Sequence, residues 1–454
     1  MDRDDGPTPP TLADSGDPAV PFYGFCPDDA PPGPVARPRL FELLRTHSDE
    51  LVDRFNAMRR ERRGSTDLRA GVRAVLGRDG AEAALSRLRQ APDRMEDGFD
   101  FAEAAMVLLG VRALADGDAP AALRHGRLAA QEQPRDPAAH ALVALAAANM
   151  GDAGAERAAL RKARALDDAH PAIALALGRN LAHTPDLDEA VAALDVYLRD
   201  TSEDVAVAQL RARLATQREI QRGFRRHSSG GVTLVWPPGA LDDAVAEELQ
   251  RELREGLDEA ADMLGMAPRE ELHAVVFRER SELLATTCVP TWTAGVFDGT
   301  LRLYAEPMRE AGLRRRVVRH EVLHAQLRAE RLPAPHWFHE GVAQHFAREA
   351  HRGHLRSYRV MVDNHTYIPF ASLEGSFLVI DRSRDARLAY HQSLAMVELM
   401  IDRFGDRALP RAVDFLRQGG DPSQLLQYVA APRGLDGDDL LSFLRRKLAA
   451  GGTP

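Results

Sequence analysis

His320 and His324 stand four residues apart in RRRVVRHEVLHAQLRAE (314–330), with Glu321 directly after the first. On a helix that spacing brings both imidazoles to one face, where two ring nitrogens can bind one metal ion at about 2 Å each. Glu321 falls beside the pair, so it can hold a water without ligating the metal. An apolar stripe of Leu313, Val317, His320, His324 and Leu327 is expected to put both histidines on the buried side of the helix. Burying two neutral imidazoles without partners is costly, and a metal ion removes that cost.

A third donor follows sixteen residues after His324, in APHWFHEGVAQHF (334–346). Glu340 opens a second helix, with Trp337 and Phe338 to anchor the turn and Gly341 to let another helix come close. A His-His-Glu set leaves the fourth zinc position open for water, as a hydrolytic site requires. His336, His339 and His345 compete as donors. Only Glu340 sits in a Trp-Phe-x-Glu-Gly-x-Ala setting, so the others are expected at the surface or behind the ligands. The implied cofactor is one Zn2+ ion.

These two helices need a frame. GVTLVW (231–236) and HAVVF (273–277) have the β-rich texture of strands. LDDAVAEELQRELREGLDEAADMLGM between them is a long amphipathic helix ending near Gly265. AGVFDGTLRLYAEP (294–307) is expected to form a hairpin that turns at Asp298-Gly299. Together they predict an α+β domain over residues 230–450.

Upstream, GD at Gly117-Asp118 recurs at Gly151-Asp152, and PD follows at Pro185-Asp186, each step being 34 residues. Gly110, Ala144 and Gly178 keep the same phase, as small residues where two helices would cross closely. Ala129 and Ala163 mark a second small position, which Tyr197 breaks in the third copy. This helix-turn-helix period resembles the tetratricopeptide repeat and implies a solenoid with a concave groove for a protein partner. The expected plan is a disordered Pro- and Asp-rich segment over 1–35, a helical region over 36–100 and repeats with a capping helix over 101–229. The helical region is read as two helices, at 38–61 and 67–91.

RHEVLHAQL followed by PHWFHEGVAQHF resembles the gluzincin metallopeptidases, in particular the bacterial peptidase MA-like domains, which are often fused to tetratricopeptide repeats. The resemblance covers about residues 230–430. WTAGVFDGTLRLY is similar to the family's edge-strand hairpin, YIPFASLEGSF to a following loop and LAYHQSLAMVELMIDRFG to a later helix. It implies a multidomain chain, an all-α tetratricopeptide-type solenoid followed by an α+β zincin-like (thermolysin-like) domain. It also implies His320, His324 and Glu340 as zinc ligands, Glu321 as general base and Tyr390 as the group that steadies the oxyanion. The chain departs from the pattern at His391, which could share or take over the Tyr390 role. It departs again at Gln344, where thermolysin-like members carry an acid; its amide oxygen is expected to orient a ligand histidine.

The expected reaction is peptide hydrolysis, with the TLRLY strand (300–304) pairing with an extended substrate. The competing reading is a protein-interaction scaffold whose zinc site is structural or catalytically relict. A structural site needs no general base, so Glu321 favours the enzyme. The net charge of −9 argues against a nucleic-acid partner. No stretch has the roughly 20 apolar residues of a membrane span. MDRDDGPTPP lacks the basic start and apolar run of a secretory signal, which predicts a cytoplasmic location. The arginines Arg314, Arg315, Arg316 and Arg319 are expected on a solvated face. Cys26 and Cys288 lack the spacing of a metal pair.

Overall fold

In a computed structural model of the chain, the described residues are 38–61, 63–77, 81–96, 99–287, 295–329, 332–348, 352–375, 377, 383–430 and 434–450. The segment over 1–35 and both cysteines lie outside them. The described chain divides into two compact units, one ending at Arg218 and one beginning at Glu219.

The first unit is built of helices, apart from one short hairpin. It contains α1 (Pro38–Glu61), α2 (Thr66–Gly77), α3 (Ala81–Gln90), β1 (Met95–Glu96) and β2 (Phe99–Asp100). Three helix pairs follow: α4 (Phe101–Ala115) with α5 (Ala119–Glu132), α6 (Pro137–Asn149) with α7 (Ala153–Leu166), and α8 (Pro171–Leu181) with α9 (Leu187–Asp200). Helix α10 (Val205–Ile220) comes after them. The 34-residue period is present as these pairs. Gly117 and Gly151 take φ of +81° after α4 and α6, a conformation glycine adopts without strain. Asp118 and Asp152 then cap the next helices through Ala121 N and Ala155 N, at 2.9 and 2.8 Å. A Cβ on Gly110 would meet Leu142 Cδ2 at 2.4 Å, and one on Gly178 would meet Leu194 Cδ2 at 2.6 Å, so both mark close crossings. The expected helix over 67–91 is described as two helices, α2 ending at Gly77 and α3 beginning at Ala81.

The second unit begins with β3 (Arg225–Ser229) and β4 (Val232–Trp236), then α11 (Asp243–Leu264), β5 (Leu272–Phe277) and α12 (Arg280–Thr286). Next come β6 (Gly295–Phe297), β7 (Leu301–Tyr304) and α13 (Ala305–Met308). The remaining helices are α14 (Ala311–Ala329), α15 (His336–Phe346), α16 (Arg352–Asp363), α17 (Ser383–Phe404), α18 (Ala408–Arg417), α19 (Leu425–Val429) and α20 (Gly437–Ala450). The strands form one mixed sheet in the order β3-β4-β5-β7-β6, with β4, β5 and β7 parallel and the two outer strands antiparallel. β7 is therefore interior, paired with both β5 and β6, and the expectation that it offers a free edge to substrate is incorrect. The edge is β6.

Alternation sorts the strand residues onto two faces. Val232, Leu234, Ala274, Val276, Leu301 and Leu303 join the main core. Val235, Val275, Phe277 and Val296 pack with Leu283 of α12 in a second cluster. Helix α11 lays Leu249, Leu253, Leu257 and Leu264 into the main core, where α14 contributes Val318 and Val322. Gly265 ends α11 in the left-handed conformation at φ +65°, as its position in the sequence suggests.

Helix α14 is held by charge as well as by packing. Arg314 is buried and ion-pairs with Glu252 at 2.8 Å and Glu248 at 2.6 Å, both on α11. Arg319 donates to Phe346 O at 2.8 Å and pairs with Glu259. The expectation of a wholly solvated arginine face therefore fails at Arg314 and Arg319. Their guanidinium groups tie α14 to α11 and to the end of α15, and only a paired charge is tolerated at such burial.

Candidate metal centre

The buried face of α14 is set by Val318, Val322, Ala325 and Leu327, and Leu313 is 36% exposed. The stripe expected from apolar spacing is thus rotated from the observed one. The helix packs on α11 on one side and on α15 on another, so no single stripe describes it. His320 and His324 lie at the half-buried flank that meets α15.

There His320 Nε2 and His324 Nε2 face each other at 3.2 Å. Glu340, at the first turn of α15, brings Oε2 to 3.5 Å from His320 Nε2 and Oε1 to 3.7 Å from His324 Nε2. All three residues offer a donor atom within 4.8 Å of the others. A tetrahedral ion with arms of about 2.1 Å requires donor separations of about 3.4 Å. The three donors also have the right chemistry, two imidazoles and one carboxylate. His324 Nδ1 and Glu340 Oε2 are buried and accept or donate no hydrogen bond among the described residues. The residues present therefore fit a zinc ion.

Electrostatics favour the same use. Burial, followed by repulsion from His320, His339 and His336, holds the His324 imidazole well below the usual histidine range. It is neutral near pH 7, as a metal ligand must be. Glu321 is 7% exposed. Its Oε1 lies 3.3 Å from the place a Cβ would occupy on Gly295 of β6, so the missing side chain leaves room beside the carboxylate. The edge strand and the glutamate are thereby neighbours.

The framework behind Glu340 is close-packed. Trp337 and Phe338 are buried in the main core, the anchoring role read from the sequence. A Cβ on Gly341 would meet Ser393 O at 2.3 Å, so α15 and α17 touch backbone to backbone. Gln344 donates from Nε2 to Glu340 O at 3.0 Å and to Tyr390 O at 2.8 Å. Its Oε1 faces His354 Nε2 of α16 at 3.4 Å. The expected hydrogen bond to a ligand histidine is replaced by a strut between helices.

His336 and His339 are buried, at 3% and 0% exposure, so the surface alternative fails for them. His336 Nε2 is 3.7 Å from Glu340 Oε1, and the His339 ring lies 6.1 Å from that of His324. The signal for His336 was its spacing of one helical turn before Glu340. Burial, with the repulsion of His339, lowers the His336 imidazole, and burial lowers that of His339 to about 3. His345 is half-buried. Tyr390 and His391 point to different neighbours. The Tyr390 ring packs on Phe377 at 5.3 Å, and Phe377 on His336 at 4.2 Å. His391 Nδ1 lies 2.6 Å from Ser357 Oγ, and its ring is 4.1 Å from that of His354.

Compared with models of known protein families and with curated protein sequences, the chain matches none.

Proposed function

We propose that the protein is a zinc-dependent peptidase of the gluzincin type. In this reading the second unit is a zincin-like domain similar to the peptidase MA-like domains. The helix pairs are a tetratricopeptide-type solenoid that recruits a substrate or partner protein, and the setting is the cytoplasm. One observation carries the reading: His320, His324 and Glu340 converge at tetrahedral spacing. Glu321, the next residue after His320 on the same helix, has its carboxylate beside Gly295 of β6.

A zinc ion held by the three ligands would supply Lewis-acid activation of a water and of the scissile carbonyl. Glu321 takes the water proton on its carboxylate and hands it to the departing amine nitrogen. Tyr390 donates a hydrogen bond from its hydroxyl to the carbonyl oxygen as negative charge builds there, a contribution of about 3 kcal/mol in comparable sites. The extended substrate pairs with β6, which ends the sheet, through main-chain hydrogen bonds. That mode reads backbone more than side chains.

The test compares wild type, Glu321→Gln and His320→Ala for zinc content and for cleavage of a denatured protein mixture. Wild type should bind one zinc and cleave. Glu321→Gln should keep the zinc and lose about 10²–10⁴-fold in rate. His320→Ala should lose the metal. Zinc in both wild type and Glu321→Gln, with cleavage by neither, would establish the scaffold reading instead.

A further inference from the structure

Beyond the metal ligands, α14 and the edge strand β6 run side by side in the same direction. A Cβ on Gly295 would lie 3.3 Å from Glu321 Oε1 and from Val317 Cγ1, so β6 begins over the middle of α14. Two residues on, Phe297 returns to the same face of the sheet and joins the main core. Arg328, seven residues after Glu321 on α14, brings its guanidinium carbon to 5.6 Å from the Phe297 ring centroid. Seven helical residues cover about 10 Å, the length of roughly three residues of extended chain.

A second guanidinium reaches the same ring. Arg269, in the loop from α11 to β5, lies 5.4 Å from the Phe297 centroid. Its backbone N–H donates to Gln326 Oε1 at 3.0 Å, its Nε to Glu271 O at 2.6 Å and its Nη1 to Ala325 O at 3.2 Å. Gln326 is fully buried and donates to Ala267 O at 2.6 Å, which pins the loop to α14. Both arginines are half-buried. One guanidinium is enough to cover an aromatic face. The second brings repulsion: burial, and then the charge of Arg328, lower the Arg269 guanidinium to about 10, and Glu271 offsets this only in part. The Glu271 carboxylate also serves His273, with Oε1 3.3 Å from Nε2. Two guanidinium groups at such range favour a further carboxylate that accepts from both.

We infer that Arg269 and Arg328 form a carboxylate-binding subsite at the Phe297 end of β6, which selects peptides with an acidic group two or three residues from the bond that is cut. The inference rests on the peptidase reading and narrows its substrate class. A substrate strand added to β6 puts alternate side chains on the α14 face of the sheet, and the one beside Phe297 comes within reach of both guanidinium groups. The carboxylate has two sources, an Asp or Glu side chain and the free C-terminus of a peptide that ends there.

The test measures peptide binding by fluorescence anisotropy on the full chain with Glu321→Gln and zinc, so that bound peptide is not cut. The probes are extended Ser- and Thr-rich peptides with an amidated C-terminus, in which a single Glu is walked along the sequence, each paired with its Gln twin. A further pair lacks Glu and differs only in a free or amidated C-terminus. At one position of the walk the Glu peptide should bind about tenfold tighter than its twin. A preference confined to the free C-terminus assigns the subsite to the terminal carboxylate instead. Either preference should disappear in Arg269→Gln and in Arg328→Gln, and Arg328→Lys should restore part of it. If Arg269→Gln fails to fold, the two Arg328 variants decide. Equal affinity within every pair overturns the inference, as does a preference that survives loss of the arginines, which would put the carboxylate on the metal. Failure of the peptidase reading looks different: the preference is present in binding, and wild type cleaves none of the peptides.

Discussion

Burial holds His324, His336 and His339 neutral at pH values where a free imidazole is protonated. In the unfolded chain each titrates near 6.5, whereas His339 in the fold titrates at about 3. Between those values the unfolded chain binds protons that the metal-free fold rejects. Stability therefore falls as pH drops below about 6.5, and these groups leave it unchanged above that. The slope is at most about 1.4 kcal/mol per pH unit for each histidine. Acid unfolding followed by circular dichroism should move to lower pH in His339→Leu. At this scale the convergence of His320, His324 and Glu340 was legible, because His320 and His324 share a helix face by spacing alone and Glu340 opens the next helix. The burial of His336 and His339 was not legible: it depends on α15 being covered on several sides, which no local pattern records. The bonds of Gln344 depend likewise on where α16 and α17 arrive.

At the scale of elements, the contact of α15 with α17 rests on a missing side chain. Gly341→Ala would drive a Cβ into Ser393 O, and the clash is with backbone that cannot swing aside. A loss of about 1–3 kcal/mol is expected, together with weaker zinc binding, because Glu340 is the preceding residue on that helix. Thermal unfolding and zinc titration measure the two effects. In the first unit, burial beside Asp136 and Asp100 pushes Glu103 of α4 up to about 7, from an ordinary value of 4.5. The unfolded chain releases this proton first as pH rises, so stability declines between about 4.5 and 7 and stays low above. Glu103→Gln should raise the melting temperature at pH 8 and change it little at pH 4.5. Elements with a strong pattern were legible: the 34-residue pairs, α11 with its terminal glycine, and the Asp298-Gly299 hairpin. Strand β3 was not, because all its residues are exposed and RRHSS shows no apolar alternation. Its pairing with β4 follows from the turn at Gly230 and Gly231, both at positive φ.

For the molecule as a whole, the core of the helical unit, from Leu40 to Leu214, shares no residue with the cores of the second unit. Calorimetry of the full chain should therefore show two transitions. Zinc at 100 times its dissociation constant should raise only the transition of the second unit, by about 2.7 kcal/mol in stability, because the three proposed ligands all belong to it. His320→Ala should abolish that response. No described helix is long and apolar enough to cross a membrane. The close contact at Gly341 has a last consequence, for chemists rather than for the fold. Glu340 and Tyr390 are carried by helices that meet backbone to backbone and are cross-linked by Gln344, so the two positions are held in one geometry. A chelating ligand of the proposed zinc site would meet Glu340 on a pre-organised helix pair, and pre-organisation lowers the cost of binding.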